Sequence, residues 1–292
     1  MKLETTTLPD GSVVEYCLGG QPDADDLLVF HIGTPNAATE FPELTSAAAR
    51  NGLRTVTYSR PGYGASTRQP GRRVADQARL TALLADHLGY DSFLTAGWSG
   101  GSSAGLACAA LMGDRVRACL VLAGLSPPHE VGPEWFEWVP EQDADEFRTL
   151  DTDDRDRLIP AFEEAAALFA EVTPESLAAL PGTPTVDREA LLRPGGFGPA
   201  LAEGIRRGVG GIFGWFDDSV AAAGPWGFQV GEIEVPVVIR HGELDPLVDV
   251  RHGRWLGAHI PGAITQILPD AGHGSIADPL EVVVEILLEA AR

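Results

Sequence analysis

Short apolar runs, rich in β-branched residues, alternate along this chain with stretches in which apolar residues recur every three or four positions. The short runs are typical of buried strands, and the longer stretches are typical of helices that pack one face against a core. This alternation predicts a parallel sheet whose strands are joined by right-handed helical crossovers. The predicted strands cover residues 13–18, 27–31, 54–58, 92–97, 118–122, 235–241 and 263–268.

The alternation is interrupted over residues 130–230, which contain no convincing buried strand. This segment has an acidic, alanine-rich helical pattern over residues 151–170, in which Pro160 marks a kink or a break. Thr173 is expected to cap a further helix. We therefore predict a helical cap at residues 130–230, inserted into a core made of residues 1–129 and 231–292.

Acidic residues outnumber basic ones by 42 to 21, and the formal net charge is -21. This charge argues against a nucleic-acid partner and against an anionic membrane surface, because both bind through basic residues. No apolar run reaches the roughly 18 residues of a membrane span, and the first residues lack the apolar segment of a secretory signal. We predict a cytoplasmic protein; a secreted chain that has lost its signal peptide is the alternative.

The three cysteines, Cys17, Cys108 and Cys119, are an odd number and lack the spacing of metal ligands. We expect them to be small, reduced residues of the core, as in other cytosolic proteins.

The sequence Gly97-Trp98-Ser99-Gly100-Gly101 matches the pattern G-x-S-x-G between a predicted strand and a predicted helix. In such a strand-to-helix turn the serine projects from the edge of the sheet, and glycine is needed where a Cβ would meet the neighbouring backbone. A glycine-rich turn without chemistry is the alternative interpretation. The context of the motif favours Ser99 as a nucleophile.

A serine nucleophile needs a general base, and His273 lies in a glycine-rich loop between the last predicted strand and the last predicted helix. The base needs a carboxylate on its other ring nitrogen, which fixes the tautomer and stabilises the imidazolium. Asp245 follows a predicted strand and is our candidate for this acid. Glu243 and Asp249 are competitors, whereas Asp270 fits a structural turn better.

The tetrahedral intermediate of acyl transfer needs N–H donors aimed at its oxyanion. The backbone N–H of Gly100 is the first candidate. The second is the N–H of Thr34, because Gly33 allows a tight turn there and Pro35 has no N–H to donate. An ordinary glycine-proline loop is the alternative.

Five motifs in this order resemble those of the α/β-hydrolase superfamily: HIGTP, YSRPGYGAS, GWSGG, HGELDPLV and AGHGS. The likeness covers about two-thirds of the chain and is greatest to actinobacterial-type members that are often labelled proline-iminopeptidase-like or haloperoxidase-like. It implies an eight-stranded, mostly parallel sheet flanked by helices, a helical cap inserted after the sixth strand, and no cofactor. The order Ser…Asp…His along the chain is also that of this fold.

The resemblance indicates a hydrolase of carboxylic esters or similar acyl substrates that acts through an acyl-enzyme. Proline iminopeptidases typically carry G-x-S-W-G and H-G-G-P-G, whereas here Trp98 precedes the serine and the loop reads HIGTPNA, which puts peptidase activity in doubt. An N-terminal prolyl aminopeptidase or amidase is nevertheless one alternative. A ligand-binding protein or a natural-product tailoring enzyme, such as a cyclase or acyltransferase, is the other.

Several weaker features bear on the substrate. Four glutamates of the cap are suited to hold a substrate's amino terminus, but a solvated helix face is the favoured interpretation. The histidines and aspartates match no metal motif that we recognise, so we expect no metal. We expect a small-molecule substrate and a monomer or homodimer. Aromatic residues are candidates for an apolar pocket, with the core of the cap as the alternative: Trp98, Trp135, Trp138 and Trp215.

Overall fold

A single sheet of eight strands forms the centre of the molecule, in a computed structural model that describes residues 2–292 except for the side chains of Glu141 and Gln142. The strands are β1 (Leu3–Thr7), β2 (Val13–Gly20), β3 (Asp26–His31), β4 (Leu53–Tyr58), β5 (Phe93–Trp98), β6 (Val116–Leu122), β7 (Val237–Gly242) and β8 (Ile264–Leu268). Their spatial order is β1-β2-β4-β3-β5-β6-β7-β8. The first pair is antiparallel and β2 is antiparallel to β4, whereas all other neighbours are parallel.

Helices cover both faces of the sheet, as a mostly parallel sheet requires. They are α1 (Pro42–Arg50), α2 (Asp76–Leu88), α3 (Ser102–Leu111), α4 (Pro128–Val131), α5 (Glu141–Leu150), α6 (Ile159–Phe169), α7 (Pro174–Ala178), α8 (Thr185–Leu192), α9 (Gly198–Gly208), α10 (Phe213–Ala223), α11 (Val250–His259) and α12 (Glu281–Ala290). Shorter 3₁₀ turns lie at Ser99–Gly101, Pro133–Glu137, Arg155–Leu158, Val230–Glu232 and Ser275–Ala277. Residues of α1 and α12 enclose one apolar core, and residues of α2, α3 and α11 enclose the other.

The seven helices from α4 to α10 lie between β6 and β7, in a segment that we call the insertion (residues 123–236). The insertion contains no strand in the described structure, as its sequence pattern predicts. The sheet and the insertion after its sixth strand confirm the predicted fold class. The exact division into a core and a cap domain stays a prediction.

The predicted helix over residues 151–170 was wrong in its first part. The chain forms a 3₁₀ turn at Arg155–Leu158, and α6 begins only at Ile159. Pro160 lies in the first turn of α6, where its missing N–H has no helical partner to lose, so it starts the helix and does not kink it.

The cap at Thr173 is confirmed, since its side chain accepts the N–H of Ser176 and the Ser176 hydroxyl accepts the N–H of Thr173.

Strand β1 was missed by the sequence analysis. Its sequence is LETTT, and none of its residues is fully buried. An edge strand without a fully buried residue lacks the apolar run by which the other strands were found. The three cysteines are unpaired and buried, as predicted. None of the described helices is long and apolar enough to cross a membrane.

Candidate active site

Ser99 lies at the sharp turn between β5 and α3, with a φ of 55° that non-glycine residues rarely adopt. Two flanking glycines make this turn possible. A Cβ on Gly97 would lie 2.5 Å from the carbonyl oxygen of Gly101, and a Cβ on Gly101 would lie 2.2 Å from that of His31. The backbone around Ser99 therefore has the strained form of a nucleophile elbow, held by the adjacent strand.

The structure brings Ser99, His273 and Asp245 together although they lie far apart in the sequence. The Oγ of Ser99 is 2.9 Å from Nε2 of His273, and Nδ1 of the same ring is 2.8 Å from Oδ2 of Asp245. With the proton on Nδ1, the ring donates to Asp245 and accepts from the serine hydroxyl. This arrangement has the geometry of a nucleophile, a general base and an orienting acid.

Both carboxylate oxygens of Asp245 are bonded. Its Oδ1 accepts the N–H groups of Leu247 and Val248 at 2.9 Å each, and its Oδ2 faces the imidazoles of His273 and His241. Burial opposes the charge of this carboxylate, but the His273 charge and the hydrogen bonds of both histidines outweigh it and place the pKa well below its usual range. Asp245 is therefore an anion in this site.

The contact that lowers the pKa of Asp245 raises the pKa of His273. Burial disfavours its charged form, but the carboxylates of Asp245 and, more weakly, Asp187 stabilise that form, so the pKa of His273 is raised above its ordinary value. A raised pKa makes the ring a better proton acceptor for the serine hydroxyl.

Asp187, in α8 of the insertion, holds the His273 loop and was not found by sequence reasoning. Its buried carboxylate accepts the N–H groups of His273, Gly274 and Ser275 at 2.9, 3.1 and 2.8 Å, and the Ser275 hydroxyl at 2.7 Å. A Cβ on Gly272 would lie 2.5 Å from the same carboxylate. No local motif marks Asp187, because its partners lie more than eighty positions away.

Trp98 supports the same loop from the sheet. Its indole Nε1 donates to the carbonyl oxygen of His273 at 2.9 Å, and its ring packs against the imidazole with centroids 5.2 Å apart. Trp98, which was predicted to contact substrate, therefore contacts the His273 loop.

Thr34 and Gly100, the two candidate oxyanion donors, lie side by side next to Ser99. A Cβ on Gly100 would lie 3.4 Å from the backbone nitrogen of Thr34, and a Cβ on Gly33 would lie 3.1 Å from the Cβ of Ser99. The loop after β3 thus approaches the elbow as closely as glycine permits.

Arg60 and Asp218 fix this loop from behind. The guanidinium of Arg60 donates to the carbonyl oxygens of Ile32 and Gly33 and to the Thr34 hydroxyl. Its charge is balanced by Asp218 of α10, 2.7 Å away, which also accepts the Thr34 hydroxyl at 3.1 Å. The insertion therefore contacts the loop of Thr34 as well as the loop of His273.

The competing acids have other partners. Glu243 pairs with Arg254, and Asp249 caps α11 and pairs with Arg251. Asp270 is exposed in the turn after β8. Asp245 alone of these four contacts His273 among the described residues.

A cavity of about 330 Å³ opens beside Ser99, between the ends of the strands and the insertion. Trp215 is among its lining residues, whereas the other candidate tryptophans are not. Trp135 is fully buried, and both Trp135 and Trp138 pack against His252 of α11. Trp135 therefore belongs to the core, and its predicted role in substrate binding was wrong. Trp138 is half-buried and is not among the residues that line the cavity, so its predicted role stays a prediction.

A larger cavity, of about 530 Å³, lies behind the His273 loop and is lined by residues of α8 and by Pro269 and Asp270. Ser99 is not among its lining residues, so Ser99 faces only the smaller one of these two cavities. No cluster of three potential metal ligands occurs among the residues that the structure describes.

Comparison with known proteins identifies the family. The family model for the alpha/beta hydrolase fold matches residues 26–279. The chain belongs to the α/β-hydrolase family. Among curated relatives, an uncharacterised hydrolase of Bacillus subtilis, YcgS, is 26% identical over 281 residues, which cover 93% of this chain and 92% of that protein.

Solved structures share the α/β-hydrolase fold at lower identity. An enol-lactonase from Burkholderia xenovorans is 18% identical with a TM-score of 0.68, over 98% of this chain and 99% of that chain. An esterase from Exiguobacterium antarcticum is 17% identical with a TM-score of 0.67, over 98% of each chain. At these sequence identities, the structural similarity supports a shared fold and nothing further.

Proposed function

We propose that this α/β-hydrolase cleaves a carboxylic ester or a similar acyl substrate through an acyl-enzyme at Ser99. The hydrogen-bonded series from Ser99 through His273 to Asp245 carries the proposal, because a serine hydroxyl becomes a nucleophile only beside a positioned base. The esterase and the enol-lactonase that share the fold are consistent with this chemistry.

In the proposed mechanism, Ser99 Oγ attacks the substrate carbonyl carbon while its proton passes to Nε2 of His273. The N–H groups of Gly100 and Thr34 stabilise the negative charge on the former carbonyl oxygen. When the intermediate collapses, the bond to the alcohol breaks and His273 donates its proton to the leaving oxygen. Water, deprotonated by His273, then attacks the acyl carbon. When the bond between this carbon and Ser99 Oγ breaks, the acid is released and His273 returns the proton to Oγ. The insertion serves as the cap that covers the acyl group.

The proposal is tested by labelling with a fluorophosphonate and by hydrolysis of p-nitrophenyl butyrate. The native chain is expected to incorporate one label at Ser99 and to release both p-nitrophenol and butyrate, whereas Ser99→Ala does neither and keeps its fold. Ser103→Ala removes a neighbouring serine hydroxyl and should retain the label. Full ester turnover by Ser99→Ala would contradict the proposal.

The same assay separates the alternatives. Faster cleavage of a prolyl arylamide than of the ester would identify a peptidase or amidase. A chain that takes no label and turns over neither substrate would indicate a ligand-binding protein, and transfer of the butyryl group to an added alcohol in place of water would indicate an acyltransferase.

A further inference from the structure

Asp245 lies in an exposed loop between β7 and α11, although its own carboxylate is fully buried. Exposed loops have little side-chain packing to hold them in one conformation. The position of the Asp245 carboxylate against His273 therefore depends on hydrogen bonds. The exposed residues around Asp245 are Glu243, Leu244, Pro246 and Leu247.

His241, near the end of β7, closes this loop. Its Nε2 is 2.8 Å from the carbonyl oxygen of Val248, seven residues further along, and 3.4 Å from Oδ2 of Asp245. Because a carbonyl oxygen only accepts, Nε2 carries a proton and donates it to Val248. The N–H of Val248 in turn donates to Oδ1 of Asp245 at 2.9 Å. The imidazole therefore acts on both carboxylate oxygens, since it lies beside Oδ2 and holds the residue that binds Oδ1.

The other ring nitrogen of His241 indicates why a histidine, and not an apolar residue, matters here. The ring is fully buried, and Nδ1 has no hydrogen-bond partner among the described residues. It lies against α11 at Gly253, where a Cβ would be 2.7 Å from Nδ1. An unpartnered buried nitrogen destabilises a fold, and an apolar side chain of similar size would avoid this cost. The contacts of Nε2 with the Asp245 loop offset it.

We propose that His241 is a positioning residue of the active site, which holds the Asp245 carboxylate in place against His273. Burial opposes the charge of Asp245, and the His273 charge followed by the hydrogen bond of His241 lowers its pKa, which agrees with this role. The effect of His241 on rate rests on the proposed ester hydrolysis. Its effect on the bond between Asp245 and His273 is independent of turnover.

Two substitutions of His241 test whether its N–H matters. His241→Gln places an amide N–H near the position of Nε2, whereas His241→Met fills a similar volume without a donor. We expect kcat for p-nitrophenyl butyrate to fall about tenfold or more in His241→Met, as for the loss of one hydrogen bond to a charged group, with little change in KM. His241→Gln should recover most of kcat. Equal losses in both variants would overturn the proposal.

The Asp245→Asn background separates a role through Asp245 from general damage to the fold. If His241 acts through the carboxylate, His241→Met should lower the residual kcat by less than about twofold once that carboxylate is gone. The same loss in both backgrounds would show that His241 acts elsewhere.

His252→Met is the matched control. The imidazole of His252 is also buried, bonds to the Ser126 hydroxyl at 2.8 Å and has one unpartnered nitrogen. Burial lowers the pKa of His252 to about 3, so its removal changes no charge near neutral pH. The variant should lower the free energy of unfolding as His241→Met does, yet leave kcat nearly unchanged. A loss of kcat as large as that of His241→Met would contradict a specific role for His241.

The proton on Nδ1 of His273 gives a readout without turnover, followed by NMR in the Ser99→Ala protein. A proton held against a carboxylate at 2.8 Å is expected to resonate far downfield and to exchange slowly with water. His241→Met should broaden this resonance or shift it upfield, whereas His241→Gln and His252→Met should preserve it. An unchanged resonance in His241→Met would overturn the positioning role. Absence of ester turnover by the native chain would contradict the proposed hydrolysis, and the resonance would still decide the role of His241.

Discussion

Asp187 accepts the backbone N–H of His273 at 2.9 Å, so a carboxylate of the insertion holds the main chain of the proposed general base. The same carboxylate binds Gly274 and Ser275, and its charge stabilises the imidazolium of His273. The position and the proton affinity of the base thus depend on a helix that is more than eighty residues away in the sequence.

Asp187→Asn keeps the size of the side chain but removes its charge and places an amide donor among N–H donors. We expect kcat/KM for p-nitrophenyl butyrate to fall roughly ten- to a hundredfold, because displacements of an ångström at a catalytic group have effects of this order. The acid limb of the pH–rate profile should also move to lower pH, because the pKa of His273 falls when this charge is lost.

Glu189→Gln is the control for Asp187, as it removes an exposed charge from the same helix. It should change neither kcat/KM for the ester nor the acid limb of the pH–rate profile. A loss of activity in Asp187→Asn with an unmoved limb would show that Asp187 affects only the loop's conformation.

The native protein should lose activity as the pH falls, since only the neutral form of His273 accepts the serine proton. Because Asp245 and Asp187 raise the pKa of His273 above 6.5, the loss is expected to begin at a higher pH than for an unperturbed histidine. Measurement of kcat/KM against pH locates this limb, and a midpoint below 6.5 would contradict the assignment of His273 as the base.

Asp245→Asn should reduce kcat by about 10⁴-fold, because the amide stabilises the wrong tautomer of His273 and no imidazolium partner remains. Glu243→Gln and Asp249→Asn change the two competing acids, which pair with arginines on the surface. These controls should retain nearly full kcat for the same ester. A larger loss in either control than in Asp245→Asn would reassign the acid.

Asp218→Ala should destabilise the fold, because it leaves the guanidinium of Arg60 buried without its counter-charge. Loss of one partner of a buried ion pair costs about 3–5 kcal/mol. Urea titration measures the free energy of unfolding of this variant and of a control. In the control, Glu281→Ala breaks the exposed pair with Arg50 and should cost less than about 1 kcal/mol. Similar values for both variants would mean that the Arg60 pair adds little to stability.

Gly101 and Gly105 lie about one helical turn apart, but replacement by alanine should affect the free energy of unfolding differently at the two positions. A Cβ at Gly101 would be 2.2 Å from the carbonyl oxygen of His31, whereas a Cβ at Gly105 meets no atom closer than 3.6 Å. We expect Gly101→Ala to lower the free energy of unfolding by about 2–4 kcal/mol. Gly105→Ala should leave it unchanged or raise it by up to about 1 kcal/mol, since alanine favours a helix. Chemical denaturation measures both.

Much of the fold was predictable because each buried strand carries its own apolar run. Strand β5 is buried at all six positions and was found within one residue of its bounds. Ser99 was identifiable because its tight turn has no room for a Cβ at Gly97 or Gly101, and the two glycines are visible in the sequence beside it. Strand β1, which has no fully buried residue, left no such pattern.

The supports of the site were not predictable in the same way. Asp187 and Asp218 are single acids in a chain that has 42 acidic residues, and only the folded structure shows that they contact the loops of His273 and Thr34. Trp135 had a pattern compatible with both a pocket and a core. Only the folded structure, in which its ring packs against His252, assigns Trp135 to the core.

The two contacts made by α8 and α10 limit how this protein can diversify. A recombinant whose exchanged insertion has no acids at these two positions would lose Asp187 and Asp218 together, and with them the contacts that hold the loops of His273 and Thr34. Substitutions in α5, which contributes Asp143, Glu146 and Phe147 to the cavity, leave both supports in place. We therefore expect point changes in α5 to alter substrate preference with the supports intact, and recombination that removes Asp187 or Asp218 to lower activity.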